Sequence, residues 1–181
     1  VPVPKDFSYG TCAAAPNSSA VLLSIVYYYI RLLGESGLKM SSELAIRNAN
    51  YIKTQLENDY EIPFTNSEGL VSHELIVKTD NLENGITERD IAKRLMDYGF
   101  HAPTMSWPVP KSLMIEPTET ESIEEIDRFI IAMKSIRKEI RENPELLRNA
   151  PHSTKLLYSD DAWDFPYSKQ QAFFPEEYIK S

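Results

Sequence analysis

The sequence predicts an α+β fold: a short antiparallel sheet covered on one face by helices, entered through two leading helices. Two segments behind Thr87 and Ser122 repeat apolar residues at helical spacing, each after a residue suited to an N-cap. Short extended runs, about Glu61–Phe64, Leu70–Val77 and Ser112–Ile115, lie before and between them. The order strand, hairpin partner, helix, strand and long helix makes one small layer, without internal repeats.

Taken in order, Ser18 or Ser19 caps a first helix over Val21 to Leu33, which Gly34 ends. Val21, Leu22, Leu23, Ile25, Val26, Tyr27, Tyr28, Tyr29 and Ile30 leave it no polar stripe, so it must be buried all round. In a chain of 181 residues that cover is expected from further chain or a partner subunit. A membrane span is not expected, because Gly10, Pro16, Asn17, Ser18 and Ser19 interrupt the uncharged stretch. The apolar run Ala20 to Ile30 is 11 residues, against about 20 for a span.

Ser41 or Ser42 caps a second helix to about Glu57, with Ala45, Ala49, Ile52 and Leu56 inward. The two extended pieces follow, separated by a turn at Asn66-Ser67-Glu68-Gly69, and the second is read as the central strand. Thr87-Glu88-Arg89-Asp90 resembles a capping box and starts a helix with Ile91, Leu95 and Tyr98 inward, stopped by Gly99. Ser122 caps the longest helix, to about Glu142, whose stripe is Ile126, Phe129, Ile130, Met133, Ile136 and Ile140. Asn143-Pro144 ends it. Beyond Pro151 the aromatic and proline-rich segment (Trp163, Pro166, Tyr167, Phe173, Phe174, Pro175) has no period and is expected to wrap over something.

Composition narrows the function. Apolar residues at 42% and charged residues at 25% are globular values. A net charge of −8 argues against nucleic acid or anionic lipid as a partner, since phosphate binding needs clustered Lys and Arg. A single cysteine, Cys12, excludes an internal disulfide and a multi-thiolate metal site, and suits a reducing compartment. The six glycines form no G-x-G-x-x-G, Walker or G-x-S-x-G pattern. A catalytic centre, if there is one, is therefore completed from elsewhere. The start at Val1 without methionine reads as an excised segment.

Few residues carry candidate chemistry. His73-Glu74 falls on the presumed central strand; the zincin pattern needs a second His where Val77 stands, so no metal is expected there. By pattern alone His73 reads as a structural histidine, with a cleft-facing ring as the alternative. Gly99-Phe100-His101-Ala102-Pro103-Thr104 is a helix stop leading into an extended segment, a place where loops line sites. Glu116, Glu119, Glu121, Glu124 and Glu125 precede or open the long helix, and their charge favours its positive end; Glu116, at the strand end, is the exception. Cys12 reads as a small buried hydrophobe and His152 as surface loop.

Several stretches together resemble the C-terminal part of the glycine decarboxylase P-protein family, the pyridoxal-phosphate component of the glycine cleavage system. They are Ala13-Ala14-Ala15-Pro16, Tyr29-Ile30-Arg31 with Gly34 and Gly37-Leu38, and Asn48-Ala49-Asn50-Tyr51-Ile52. The nearly unbroken run from Ala92 to Val109 follows, then Leu113 to Glu119, Asn149 to Ser153, and Pro166-Tyr167-Ser168. The resemblance covers roughly residues 10 to 176 and departs at Ser18, where the family usually has glycine.

What it implies is a fold-type-I pyridoxal-phosphate architecture. Residues 1–40 would end the large domain with the apolar helix, 41–145 would be the C-terminal small α+β domain, and 146–181 a wrapping tail. The implied reaction is decarboxylation of glycine, with the aminomethyl group passed to the lipoyl arm of the H-protein. The family's Schiff-base lysine stands in a His-Lys-Thr context upstream of the Ala-Ala-Pro stretch, and Lys5 does not match it. The resemblance therefore implies no catalytic residue in this chain, and cofactor held by the parent enzyme rather than by this piece. It places His101 and Thr104 on the active-site cleft, His73 and Glu74 facing the same side, and Glu116 and Thr118 next. Implied partners are the rest of the P-protein chain or a partner subunit, the lipoylated H-protein and glycine. The implied location is cytoplasm for a bacterial source and mitochondrial matrix for a eukaryotic one. A non-catalytic interaction domain, docking through the apolar helix and aromatic tail, is the main alternative; another fold-type-I enzyme, such as an aminotransferase, is the second.

Overall fold

A computed structural model of the chain describes residues 20–153. The readings of Lys5, Cys12, the Ser18 or Ser19 cap and the aromatic segment Trp163 to Pro175 lie outside these residues. The elements run α1 (Ala20–Leu56), β1 (Leu75–Lys78), a 3-10 turn (Glu83–Gly85), α2 (Glu88–Asp97), β2 (Thr104–Met105), β3 (Ser112–Ile115), α3 (Ile123–Glu142) and α4 (Pro144–Arg148). The three strands form an antiparallel sheet in the order β1-β3-β2. The expected α+β layer is present.

Gly34 divides α1 as the sequence predicts, at φ 63° and ψ −176°, a conformation that a side chain would strain. The expected cap at Ser41 or Ser42 is absent. The helix resumes directly after Gly34, and the Ser42 hydroxyl donates to the Leu38 carbonyl one turn back at 3.3 Å. The apolar first half is uncovered by the described residues: Val21 is 73% exposed and Leu32 85%. By length and composition α1 passes as a membrane-spanning helix. Gly34 breaks it, however, and Ala20 to Leu33 rises only about 21 Å, short of a hydrocarbon core of about 30 Å.

The second half of α1 buries Ala49, Ile52 and Leu56. They pack against α3 and share one buried cluster with Leu75 and Val77 of β1, Leu113 and Ile115 of β3, and Ile91 and Leu95 of α2. Along α3 the buried stripe is Ile126, Ile130, Met133, Ile136 and Ile140, with Phe129 half-buried beside it. Pro144, read only as a helix stop, also occupies the first turn of α4, which seats Leu147 in the core. Tyr60 is buried and donates to the Met133 carbonyl at 2.8 Å. Arg137 ties α3 to the Asp59 carbonyl (2.8 Å) and pairs with Glu83.

The sheet differs from expectation in four ways. Its centre is β3, while β1 is an edge. His73 and Glu74 precede β1 instead of lying in a strand. Ahead of them the Asn50 side chain takes the place of a strand partner for Val71: its amide donates to the Val71 carbonyl (2.8 Å) and its oxygen accepts from the Val71 N–H (3.0 Å). Glu61 to Phe64 contributes only one bridge, Glu61 to Lys78, since Pro63 has no N–H for a ladder. The turn forms as read, with the Asn66 side chain accepting from Glu68 and Leu70 N–H groups and Gly69 at φ 76°. The two-residue strand β2 was not anticipated.

Met133→Ala should cost about 2–5 kcal/mol of stability, because the methionine is fully buried on the central helix. The adjacent exposed Lys134→Ala should stay within about 0.5 kcal/mol. Urea denaturation of both variants checks this; equal losses would mean that α3 faces the wrong way.

Candidate functional site

The site begins where α2 is forced to stop. Thr87 and Asp90 form the reciprocal capping box that starts the helix, as the sequence predicts. At its other end Gly99 adopts φ 80°, its N–H donates to the Met96 carbonyl (3.0 Å), and the Phe100 N–H donates to the Leu95 carbonyl (3.0 Å). This paired closure turns the chain sharply out of the helix. His101, Ala102 and Pro103 then lead into β2, where Thr104 pairs with Met114 of β3.

The stretch from Gly99 to Thr104 forms one wall of a cleft of about 470 Å³. Ile52, Ile126 and Phe129 give it an apolar base, and Glu116, Glu121 and Glu125 complete its lining. Glu116 and Pro117 also line a second cleft, about 310 Å³, together with Ser41, Ser42, Ser72, His73 and Thr118. The Glu116-Pro117 strand exit is thus a shared partition. His101, Thr104 and Glu116 come together in the first cleft; His73, Thr118 and Glu116 come together in the second. Glu74 lines neither.

His73 is exposed, its Nδ1 lying 3.1 Å from the Ser72 hydroxyl and its Nε2 4.0 Å from the Glu74 carboxylate. The second cleft is held by α1. Asn48 donates to the Thr118 carbonyl (3.0 Å), and Asn50 grips Val71 just ahead of Ser72. Sequence reasoning missed these two asparagines as supports; mid-helix amides, poor helix formers, were the available signal.

The acidic run is more than a helix cap. Glu124 does sit at the α3 N-terminus, where its own backbone N–H and Ser122 hold its carboxyl below the ordinary range. Glu125, in the same first turn, also lines the first cleft and is held low by the Arg128 guanidinium. Neither cleft is lined by lysine or arginine among the described residues. These walls therefore offer no amine for covalent catalysis and no cation for a phosphate group.

Behind the first cleft, α2 is fastened to α3 by charge. Arg94 forks onto Glu139 (2.8 and 2.9 Å) and reaches Asp97 (3.0 Å), while the Tyr98 hydroxyl donates to Glu139 (2.8 Å). Burial works against ionisation of Glu139, but Arg94 and Tyr98 outweigh it and the carboxyl stays low. Burial likewise opposes the Asp97 charge, and bonds from Ser153, Arg94 and His152 more than offset it. One Asp97 oxygen accepts from the His152 N–H, the Ser153 N–H and the Ser153 hydroxyl. His152 is exposed, as read, yet its backbone is pinned.

Comparison with known proteins accords with the geometry. Residues 41–153 match the family model described as glycine dehydrogenase, C-terminal domain. The chain is 47% identical over 192 residues to the mitochondrial glycine dehydrogenase (decarboxylating) of Flaveria anomala, an alignment covering 100% of this chain and 18% of that protein. It is 51% identical over 173 residues to the Flavobacterium johnsoniae protein of the same name, covering 92% and 18%. For the mitochondrial protein 1 of Arabidopsis thaliana the identity is 46% over 192 residues. The chain spans about a fifth of the length of these relatives.

Glu139 and Asp97 have folded values below their ordinary 4.5 and 3.8. Their contribution to stability is therefore complete above the ordinary carboxylate range and is lost as pH falls through the lower folded values. Thermal unfolding between about pH 5 and pH 2 should show a steep acid limb. Arg94→Gln should flatten it; an unchanged slope would rule out this cluster as its source.

Proposed function

The chain belongs to the glycine dehydrogenase (decarboxylating) family, and on that premise we propose that it supplies one wall of the active site of a pyridoxal-phosphate enzyme that decarboxylates glycine. In this reading residues 41–153 are the C-terminal domain, and the apolar first half of α1 is the end of the large domain, covered by chain that precedes it in the parent protein. The observation that carries the reading is the convergence of His101, Thr104 and Glu116 on the first cleft, within the segment that matches the family model.

The chemistry of the cofactor, when bound, is to accept the electrons released as carbon dioxide leaves. The described residues do not fit that group by themselves, since neither cleft presents a lysine or a phosphate-binding cation. No catalytic step is assigned to them through it. Their part is to bound the reaction space. The imidazole of His101 and the hydroxyl of Thr104 offer donors and acceptors to a small polar substrate, and Glu116 places a carboxylate beside them. The apolar base of Ile52, Ile126 and Phe129 excludes water.

The parent enzyme would hand the aminomethyl group to the lipoyl arm of the H-protein, in mitochondria or bacterial cytoplasm according to source. The piece represented by this chain would be inactive alone, because its one lysine ahead of the Ala-Ala-Pro stretch, Lys5, lacks the His-Lys-Thr context.

In the full-length parent enzyme His101→Ala should lower glycine–bicarbonate exchange by about 100-fold, with unfolding little changed because the residue is exposed. Activity equal to the unmodified enzyme would remove His101 from the site. The present chain, purified alone with added pyridoxal phosphate, should show neither cofactor absorbance nor exchange; clear activity would overturn the proposed inactivity.

A further inference from the structure

Arg128, on the first turns of α3, was not singled out by any motif, and its side chain is 46% exposed. An exposed ion pair is ordinarily worth little. Its contacts, however, fall on the three residues ahead of His101. Nη1 donates to the Tyr98 carbonyl at 2.6 Å. The guanidinium carbon stands 3.8 Å from the Phe100 ring centre. A Cβ at Gly99 would lie 3.6 Å from Nη1, so the guanidinium packs beside the glycine at ordinary contact distance. The remaining fork is held by Glu125, at 2.8 and 2.5 Å, and Glu125 is itself part of the cleft wall.

The Tyr98 carbonyl belongs to the last turn of α2, where carbonyls lose their helical partners. The paired closure of the turn engages the carbonyls of Leu95 and Met96 and leaves that of Tyr98 to this side chain. Phe100 also packs on Phe129, edge to face with centroids 5.3 Å apart. Only a planar guanidinium can fork onto a carboxylate, donate to a carbonyl and stack on a ring at once; an ammonium carries the charge without the fork or the stack.

We infer that Arg128 is a positioning residue of the first cleft: it locks the Gly99-Phe100 corner against α3 and so sets where the His101 imidazole stands. This rests on the reading of His101 as a residue of the reacting cleft. The lock runs from the cleft wall at Glu125 through Arg128 to the loop, so the two walls keep a fixed separation.

The test uses the full-length enzyme and four variants: Arg128→Ala, Arg128→Lys, His101→Ala and the double variant Arg128→Ala/His101→Ala. Both single Arg128 substitutions should lower kcat for glycine–bicarbonate exchange by about tenfold, with KM and the unfolding midpoint nearly unchanged. The double variant should be no slower than His101→Ala alone, because Arg128 acts through that ring. Full activity in Arg128→Lys would mean that charge alone matters and would overturn the inference, as would a multiplicative loss in the double variant. A slow His101→Ala with a normal Arg128→Ala removes the positioning role and leaves the site reading standing. A normal His101→Ala sinks both.

Discussion

One apolar stripe organises the described part of this chain. Ile126, Ile130, Met133, Ile136 and Ile140 give α3 a continuous buried face; α1, α2 and α4 pack on it, and the sheet's buried residues join the same core. A helix with such a face cannot remain in water, because each fully buried side chain contributes about 1.5–3 kcal/mol relative to exposure. Tyr60, Tyr51 and Arg137 then fix the approach with polar contacts to the same helix: to the Met133 carbonyl, to Asp127 at 2.7 Å, and between the Asp59 carbonyl and Glu83.

The cleft is a by-product of how α2 ends against that face. A helix that stops at a left-handed glycine turns its chain abruptly, and here the turn throws His101 and Thr104 outward beside the exit of β3. The Arg94–Glu139 fork holds the helix body, while Asp97 gathers the backbone of His152 and Ser153. The carboxylates in this cluster are low in pKa because partners outweigh burial, so the same contacts that anchor the helix also place its weak point in acid. The loop carrying His101 thus hangs from a rigid scaffold, a usual arrangement for residues that meet a ligand.

Much of the candidate site was legible in the sequence. The run through Gly99 and His101 announced itself as a helix stop followed by an extended segment, and the capping signals at Thr87 and Ser122 gave two helix starts correctly. Other parts were not legible for identifiable reasons. Ser41 and Ser42 looked like a cap, but Gly34 had already supplied the only break that α1 needed. His73 looked like a strand residue, yet the ladder begins only at Leu75, and the Asn50 side chain holds the Val71 backbone two residues before His73. Glu125 looked like a helix-dipole residue and stands in the first turn of α3 as read, but its pairing with Arg128 and its place on the cleft wall were not legible.

Local chemistry by itself determined where α2 and α3 start and stop, which of their faces is apolar, and that the helix at Ala20 to Leu33 is apolar all round, since capping and amphipathic period act within a few residues. It also determined the family, through runs of residues too specific to be shared otherwise. Only the tertiary structure decided which strand is central, that Glu116 partitions two clefts, and that Asn48, Asn50 and Arg128 support the loops around them. Those outcomes depend on side chains reaching backbone groups far away in the chain, 70 residues in the case of Asn48 and Thr118. No local pattern encodes the partner of such a bond; it exists only once packing on α3 has brought the two ends together.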